Sequence, residues 1–172
     1  AWIFQNAILV ISVGLRNFHY ITAYGLAYKR VGLIAFLLAV LIGLFTIWFK
    51  IRNKKTGFYL INANAWSVYA ILIMLSLFNW DVTIAKYNLS GKVQQPVDLG
   101  FLLEMNPQVL PIIAQSNLNL NVEIKAPYSY KIIHANAEFE RQKIKFLKEE
   151  SEKTWLSFNW YSRRAYRYFT KP

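Results

Sequence analysis

The sequence predicts an all-α membrane protein: a transmembrane helical hairpin with part of a third span, an interfacial helix, and a mostly helical polar C-terminal region. Two observations favour this class. The 172-residue chain has no Asp or Glu before Asp81, and all nine acidic residues lie from Asp81 onward. Two stretches of nineteen residues, 31–49 and 60–78, carry no charge at all. Since an ionised side chain in hydrocarbon costs several kcal/mol, such stretches are typical of membrane spans.

The two uncharged stretches are each long enough to cross a bilayer. Nineteen helical residues extend ~28 Å, close to the ~30 Å hydrocarbon thickness. The loop between them, 50–57, contains four basic residues. Aromatic residues, which favour the headgroup layer, stand at both ends of the pair: Trp48, Phe49, Phe58 and Tyr59 near the loop, and Tyr28 and Trp80 at the far side. This pattern predicts a transmembrane hairpin.

The N-terminal 30 residues predict a shorter apolar helix and an amphipathic one. Residues 1–15 would reach only ~22 Å as a helix, which favours an incomplete span. Residues 15–30 repeat apolar side chains every three or four positions, as in an interfacial helix or a polar extension of the first span. We therefore divide the chain into a transmembrane region, 1–80, and a polar extramembrane region, 81–172.

Within the polar region, local signals predict several short elements. Asp98 is expected to cap a helix reaching Met105, and Asn106 with Pro107 opens a further turn up to Ala114. Residues 117–125 alternate apolar and polar, which predicts one short strand or an extended arm ending at Pro127. Residues 132–153 predict a charged helix, and 155–169 form a segment dense in aromatic residues and arginine. The apolar stripe expected on the charged helix is Ile133, Ala137, Ile144 and Leu147.

Four segments together resemble a known family. They are NFHYITAYGLAYKRVG, FNWDVTIAKYNL, VDLGFLLEMNPQVLPII and WLSFNWYSRRAY. Their order is similar to that in a multi-span bacterial inner-membrane family, Bacteroidetes-type, known only as a domain of unknown function. Thr22, Ala23 and Gly100 depart from its usual residues, and 117–131 has no counterpart. The resemblance implies that this chain is the C-terminal part of a larger protein, and it implies no activity.

Two groups of residues are candidates for contacts. The predicted lipid-headgroup contacts are Arg16, Lys29, Arg30, Arg163, Arg164 and Arg167. The predicted partner or packing contacts are Asn62, Asn64, Asp81, Tyr87 and Asn88. An anion path is the alternative for the first three, nucleic acid for the last three arginines, and a surface ligand site for the block around Asp81. For the first three residues we favour side chains that extend to the lipid headgroups, and for the last three arginines we favour lipid binding. For the block around Asp81 we favour a structural role, in which it caps and packs a helix.

The sequence contains no pattern that predicts catalysis, a cofactor or a metal site. There is no cysteine, and the two histidines are far apart. No carboxylate lies in either complete stretch, which argues against a proton relay there. We therefore expect no enzyme activity, no cofactor, no nucleic-acid partner and no identifiable small-molecule substrate.

The basic loop also predicts an orientation. Short basic loops stay in the cytoplasm, so 50–57 is expected inside and the C-terminal region outside a bacterial inner membrane. Against this, five basic residues lie near the opposite side: Arg16, Lys29, Arg30, Lys86 and Lys92. Our leading hypothesis is a non-enzymatic structural or scaffolding subunit with membrane lipids and protein partners. The alternatives are a transporter or channel component whose functional residues lie in missing N-terminal spans, and a membrane enzyme acting on a lipid or envelope glycan.

Overall fold

A computed structural model describes residues 1–125, 132–154 and 157–170. The chain forms two compact units. Unit 1 is Ala1–Trp80 with Val93–Gln95, and unit 2 is Asp81–Lys92 with Pro96–Pro172.

Unit 1 contains three helices: α1 Trp2–Tyr24, α2 Tyr28–Arg52 and α3 Gly57–Ser76. The middle helix α2 packs against both α1 and α3. Thr56 caps α3, since its hydroxyl accepts a hydrogen bond from the Tyr59 amide at 3.5 Å. A capping oxygen satisfies one of the amides left free at a helix start, so α3 begins at this point.

Two helices of the described chain, α2 and α3, are long and apolar enough to cross a membrane. They contain most of the two predicted stretches, and no residue of α3 is buried. The prediction of a separate interfacial helix over 15–30 is wrong. Helix α1 runs without a break to Tyr24, because the first non-helical backbone is at Gly25, with φ 82°. The alternative, a polar extension of the first helix, is confirmed as far as Tyr24, whereas Tyr28 already begins α2.

Unit 2 is built from short helices followed by a two-stranded antiparallel sheet and two longer helices. Its elements are α4 Trp80–Asn88 (whose first residue belongs to unit 1), α5 Leu99–Glu104, a 3₁₀ turn Pro107–Val109, α6 Leu110–Gln115, β1 Glu123–Lys125, β2 Ile132–His134, α7 Ala135–Glu152 and α8 Trp160–Thr170. The strands pair antiparallel with Ile124 opposite Ile133. The largest fully buried side chains are Ile84, Leu102, Leu103, Val109, Leu110 and Ile113.

The two predicted caps in unit 2 are confirmed. The Asp98 carboxylate accepts from the Phe101 amide at 3.0 Å, and the Asn106 side chain accepts from the Gln108 amide at 3.1 Å. Each oxygen satisfies a backbone donor that has no partner within its helix. Both signals are local, so the sequence alone was sufficient to find them.

The strand and the charged helix differ from the prediction. The strand β1 has three residues rather than the nine of 117–125, and a second strand, β2, replaces the start of the expected helix. The apolar stripe is also wrong, since Ile144 is 66% exposed while Phe139 and Phe146 are buried. The helix α7 instead packs through a neighbouring face, which carries the larger aromatic side chains. The predicted strand end at Pro127 and the start of the aromatic segment, 155–156, lie outside the described residues.

Candidate functional site

The turn between α1 and α2 is organised by Arg30. Its guanidinium donates to the Gly25 carbonyl oxygen, and its central carbon lies 5.8 Å from the centre of the Tyr24 ring. The side chain of buried Asn17 donates to the Arg30 carbonyl oxygen at 3.2 Å. Arg30 therefore stabilises the turn, a role that the sequence did not reveal.

A second polar contact joins α2 and α3. The buried Thr46 hydroxyl is 3.0 Å from Asn64 Oδ1 and 2.8 Å from the Gly43 carbonyl oxygen. A methyl group on Gly43 would lie 3.8 Å from the same Asn64 oxygen, so the two helices come close at this level. Asn62, two residues earlier and therefore on the opposite side of the helix, is exposed. Asn64 thus makes an interhelical contact, and Asn62 lies on the free side of α3.

The carboxyl end of α1 receives hydrogen bonds from a distant part of the chain. The amides of Gln94 and Gln95 donate to the carbonyl oxygens of Thr22 and Ala23, at 3.1 and 3.0 Å. Carbonyls in the last turn of a helix have no partner within it, so this segment completes the helix end. About seventy residues separate donor and acceptor in the sequence, so no local pattern predicted the contact.

In unit 2, Glu138 forms the centre of a polar cluster on α7. Its side chain is only 5% exposed, and its carboxylate accepts two bonds from Arg141, at 2.6 and 2.8 Å, and one from Gln142 at 2.8 Å. The Arg141 hydrogen bond holds the pKa of the Glu138 carboxyl below its usual 4.5, against the opposing effect of burial. Gln142 also donates to the Leu103 carbonyl oxygen at 2.7 Å. The cluster ties α7 to the end of α5.

An open cavity of about 430 Å³ lies beside this cluster. Glu138, Arg141 and Gln142 line it together with apolar Met105 and Phe146. Because Arg141 and Gln142 both donate hydrogen bonds to Glu138, the main role of these three side chains is structural. Among the described residues, every buried side-chain nitrogen or oxygen has a hydrogen-bond partner.

Helix α8 has two different faces. Ser162 and Ala165 are buried, and the Ser162 hydroxyl accepts from the Gln108 side chain at 2.8 Å. On the opposite side, Trp160, Arg164 and Arg167 follow at intervals of four and three residues, which places them on one line of the helix. All three are exposed, as is Arg163. The three predicted arginines therefore share one solvent-facing surface.

The remaining predicted residues are distributed over both units. Arg16 and Lys29 are exposed on α1 and α2. Asp81 and Asn88 are seven residues apart on α4, which places them on the same helix face. Burial raises the pKa of the Asp81 carboxyl above its usual 3.8. Asn88 is buried and Tyr87 is half-buried, whereas Lys86 is exposed. This block is therefore split between the packed and solvent sides of α4.

A protein-family match covers residues 1–116, which include the helices of unit 1 and unit 2 as far as α6. No curated protein and no solved structure matches the chain. The predicted resemblance to a family of unknown function is confirmed at that level, whereas the bacterial origin and the C-terminal position stay predictions. Since the match extends over more than half of its length, the chain belongs to the family described as Domain of unknown function (DUF4153).

Proposed function

We propose that this chain is an integral membrane protein in which α2 and α3 cross the bilayer and hold unit 2 at the membrane surface. Its role is structural: a scaffolding subunit that contacts other proteins of a membrane complex, without catalysis of its own. One observation carries the membrane part of this proposal. Helix α3 is apolar along its length, and yet none of its residues is buried.

The exposed side chains of α3 make a position in water unfavourable. Eight large side chains on this helix are exposed: Phe58, Ile61, Trp66, Val68, Tyr69, Leu72, Ile73 and Met74. Transfer of each from water to an apolar environment is favourable by about 1.5–3 kcal/mol when burial is complete. The helix thus gains on the order of 10 kcal/mol by entering lipid. A core helix of a water-soluble protein would have the opposite burial.

The scaffolding part rests on how unit 2 uses its polar groups. Glu138, Arg141, Gln142 and Ser162 bond to other side chains of the unit. On helix α7, the side chain of Ile144 is 66% exposed and lies among charged residues. An exposed apolar side chain surrounded by charged ones has the arrangement of a protein–protein contact, in which an apolar centre is enclosed by a polar rim.

Cysteine labelling provides a sharp test, because the chain contains no cysteine. Lys55→Cys reports on the loop after α2, Ser151→Cys on α7, and Ala65→Cys on the middle of α3. In intact cells of a bacterial host, a membrane-impermeant maleimide should label only Ser151→Cys. Lys55→Cys should react once the inner membrane is permeabilised, and Ala65→Cys only after detergent denaturation. This result is expected if the basic loop is cytoplasmic and unit 2 lies outside.

The same variants test both the spans and the partners. Labelling of Ala65→Cys as fast as Lys55→Cys in native membranes would contradict a buried α3. Labelling of Lys55→Cys, but not Ser151→Cys, in intact cells would reverse the orientation only. A cleavable crosslinker on Ser151→Cys should give adducts of fixed, reproducible mass, whereas Ala65→Cys serves as the matched control. A chain that stays uncrosslinked and monomeric in mild detergent would contradict the scaffolding role.

A further inference from the structure

We propose that the outer face of α8 binds the anionic phospholipid headgroups of a bilayer. This face comprises Trp160, Tyr161, Arg163, Arg164, Arg167 and Tyr168, all exposed. The proposal rests on the proposed function, since it takes a membrane next to unit 2 as given. It adds the lipid class and the residues that recognise it.

Uncompensated positive charge on α8 is the first argument. The helix Trp160–Thr170 contains three arginines and no acidic residue. In the part of the chain that the structure describes, the four ion pairs lie on α7 or between α7 and Lys153, and none involves α8. An arginine guanidinium is planar and donates two parallel hydrogen bonds to a phosphate group. The chemistry of this face is therefore complementary to phosphodiesters.

The aromatic residues favour a headgroup layer over free phosphate. Trp160 is 62% exposed and Phe158, just before the helix, is 64% exposed. Tryptophan and tyrosine rings are enriched at the membrane–water boundary, where one side of the ring is apolar and the other is hydrated. Arginines that reach the headgroup phosphates and aromatic rings at the membrane boundary can therefore contact the same lipid surface.

Tethering distinguishes lipid from nucleic acid, which also binds arginines with aromatic neighbours. Unit 2 is joined to unit 1 at three peptide bonds, after Trp80, Lys92 and Gln95. If α2 and α3 cross the bilayer, each copy of α8 is held at high effective concentration relative to one surface. Weak individual contacts with lipid then suffice for stable docking.

The test uses the full chain reconstituted in phosphatidylcholine vesicles, with or without phosphatidylglycerol. A spin label on Thr170→Cys reports proximity to a relaxation agent attached to lipid headgroups. We expect strong relaxation only when phosphatidylglycerol is present. Each basic residue near an anionic surface favours contact about fivefold, so Arg163→Gln, Arg164→Gln and Arg167→Gln together should weaken contact about a hundredfold at low salt.

A matched variant removes three positive charges elsewhere in unit 2: Lys125→Gln, Lys145→Gln and Lys148→Gln. It should retain most of the lipid-dependent signal. Equal signals in neutral and anionic vesicles, or equal losses in the two triple variants, would overturn the proposal. So would binding of an oligonucleotide by the same arginines without any response to phosphatidylglycerol. Resistance to carbonate extraction from neutral vesicles tests α2 and α3 separately, so failure of the spans and failure of the lipid face are distinguishable.

Discussion

Glu138 is a buried carboxylate whose charge is stabilised by hydrogen bonds from the same helix. It is close to Arg141 and Gln142 because residues three and four positions apart lie on one helix face. Arg141 itself is 68% exposed, so water screens part of the attraction. Two of the three hydrogen bonds on the carboxylate are the contacts of this ion pair, and Gln142 donates the third. Hydrogen bonds to a charged group contribute more to stability than neutral ones.

Replacing Glu138 with glutamine should destabilise unit 2 in a pH-dependent manner. Because hydrogen bonds to a charged group contribute more than neutral ones, we expect a loss of about 1–2 kcal/mol at neutral pH. The pKa of Glu138 is lowered on folding, so its charge stabilises the folded state above pH 4.5 and ceases to do so as the pH falls below that value. The measurement is urea denaturation of the full chain in mild detergent over a range of pH.

Glu140→Gln is the matched control for this experiment. Glu140 lies on the same helix and pairs with Lys143 at 3.2 Å, but its side chain is 49% exposed. Exposed pairs contribute about 0–1 kcal/mol, so the control should change stability little. Equal losses in the two variants, or a Glu138→Gln loss that does not shrink below pH 4.5, would contradict the role given to Glu138.

At the residue scale, the sequence predicted the contacts between residues that lie close together in the chain. Asp98 and Asn106 were found because a cap and its amide are two or three residues apart. The contact between Asn17 and Arg30 was not predicted, because it joins α1 to α2 across a turn whose geometry is set by Gly25. Burial of Glu138 also depends on distant side chains, and a pattern of local charges does not indicate it.

The break between α1 and α2 depends on the backbone of Gly25, at φ 82° and ψ 177°. This conformation is essentially restricted to glycine, because a Cβ would collide with the backbone. The carbonyl of Gly25 accepts from Arg30, and its amide donates to Ile21 at 2.9 Å. One residue thus ends the first helix and positions the start of the second.

Gly25→Ala should destabilise unit 1 by about 1–3 kcal/mol, the strain of a side chain in this backbone region. Gly32→Ala is the matched control, because Gly32 lies within α2 and an added Cβ would meet nothing within 4 Å. Alanine in a helix interior stabilises by about 0.5–1 kcal/mol relative to glycine. Thermal unfolding in detergent should therefore shift in opposite directions for the two variants. Shifts of the same sign and size would contradict this account of the turn.

At the element scale, long apolar helices were predictable and short elements were less so. The loop around Thr56 and the two long helices follow from charge and hydropathy over many residues. Strand β2 was missed because Ile132–His134 carries too few residues for an alternating pattern. Its partner β1 and the pairing between them, rather than local propensity, define it as a strand.

At the scale of the whole molecule, unit 2 combines chain from both sides of the family boundary at residue 116. Helix α5, the 3₁₀ turn and α6 precede that boundary, whereas α7 and α8 follow it. The buried bond between Gln108 and Ser162 and the bond from Gln142 to the Leu103 carbonyl both join the two parts. Contacts over such separations were not readable from the sequence, because no periodicity relates their positions.

Removal of residues 117–172 should therefore unfold the family-matched part of unit 2 and leave unit 1 intact. Leu102, Leu103, Val109, Leu110 and Ile113 are each at most 1% exposed in the folded chain. The short helices that carry them pack on α7 and α8, and helices of six residues are not stable alone. Limited proteolysis in detergent is expected to cut the truncated chain within 96–116, while α2 and α3 stay protected.

A shorter deletion provides the control for this truncation. Removal of residues 171–172 leaves α8 complete and should give the same proteolytic pattern as the full chain. If the chain ending at residue 116 kept 96–116 protected, the five buried apolar side chains would be packed sufficiently within the family-matched region. That outcome would contradict a core shared with α7 and α8. Cleavage within α2 or α3 as well would indicate that unit 1 also depends on unit 2 for its stability.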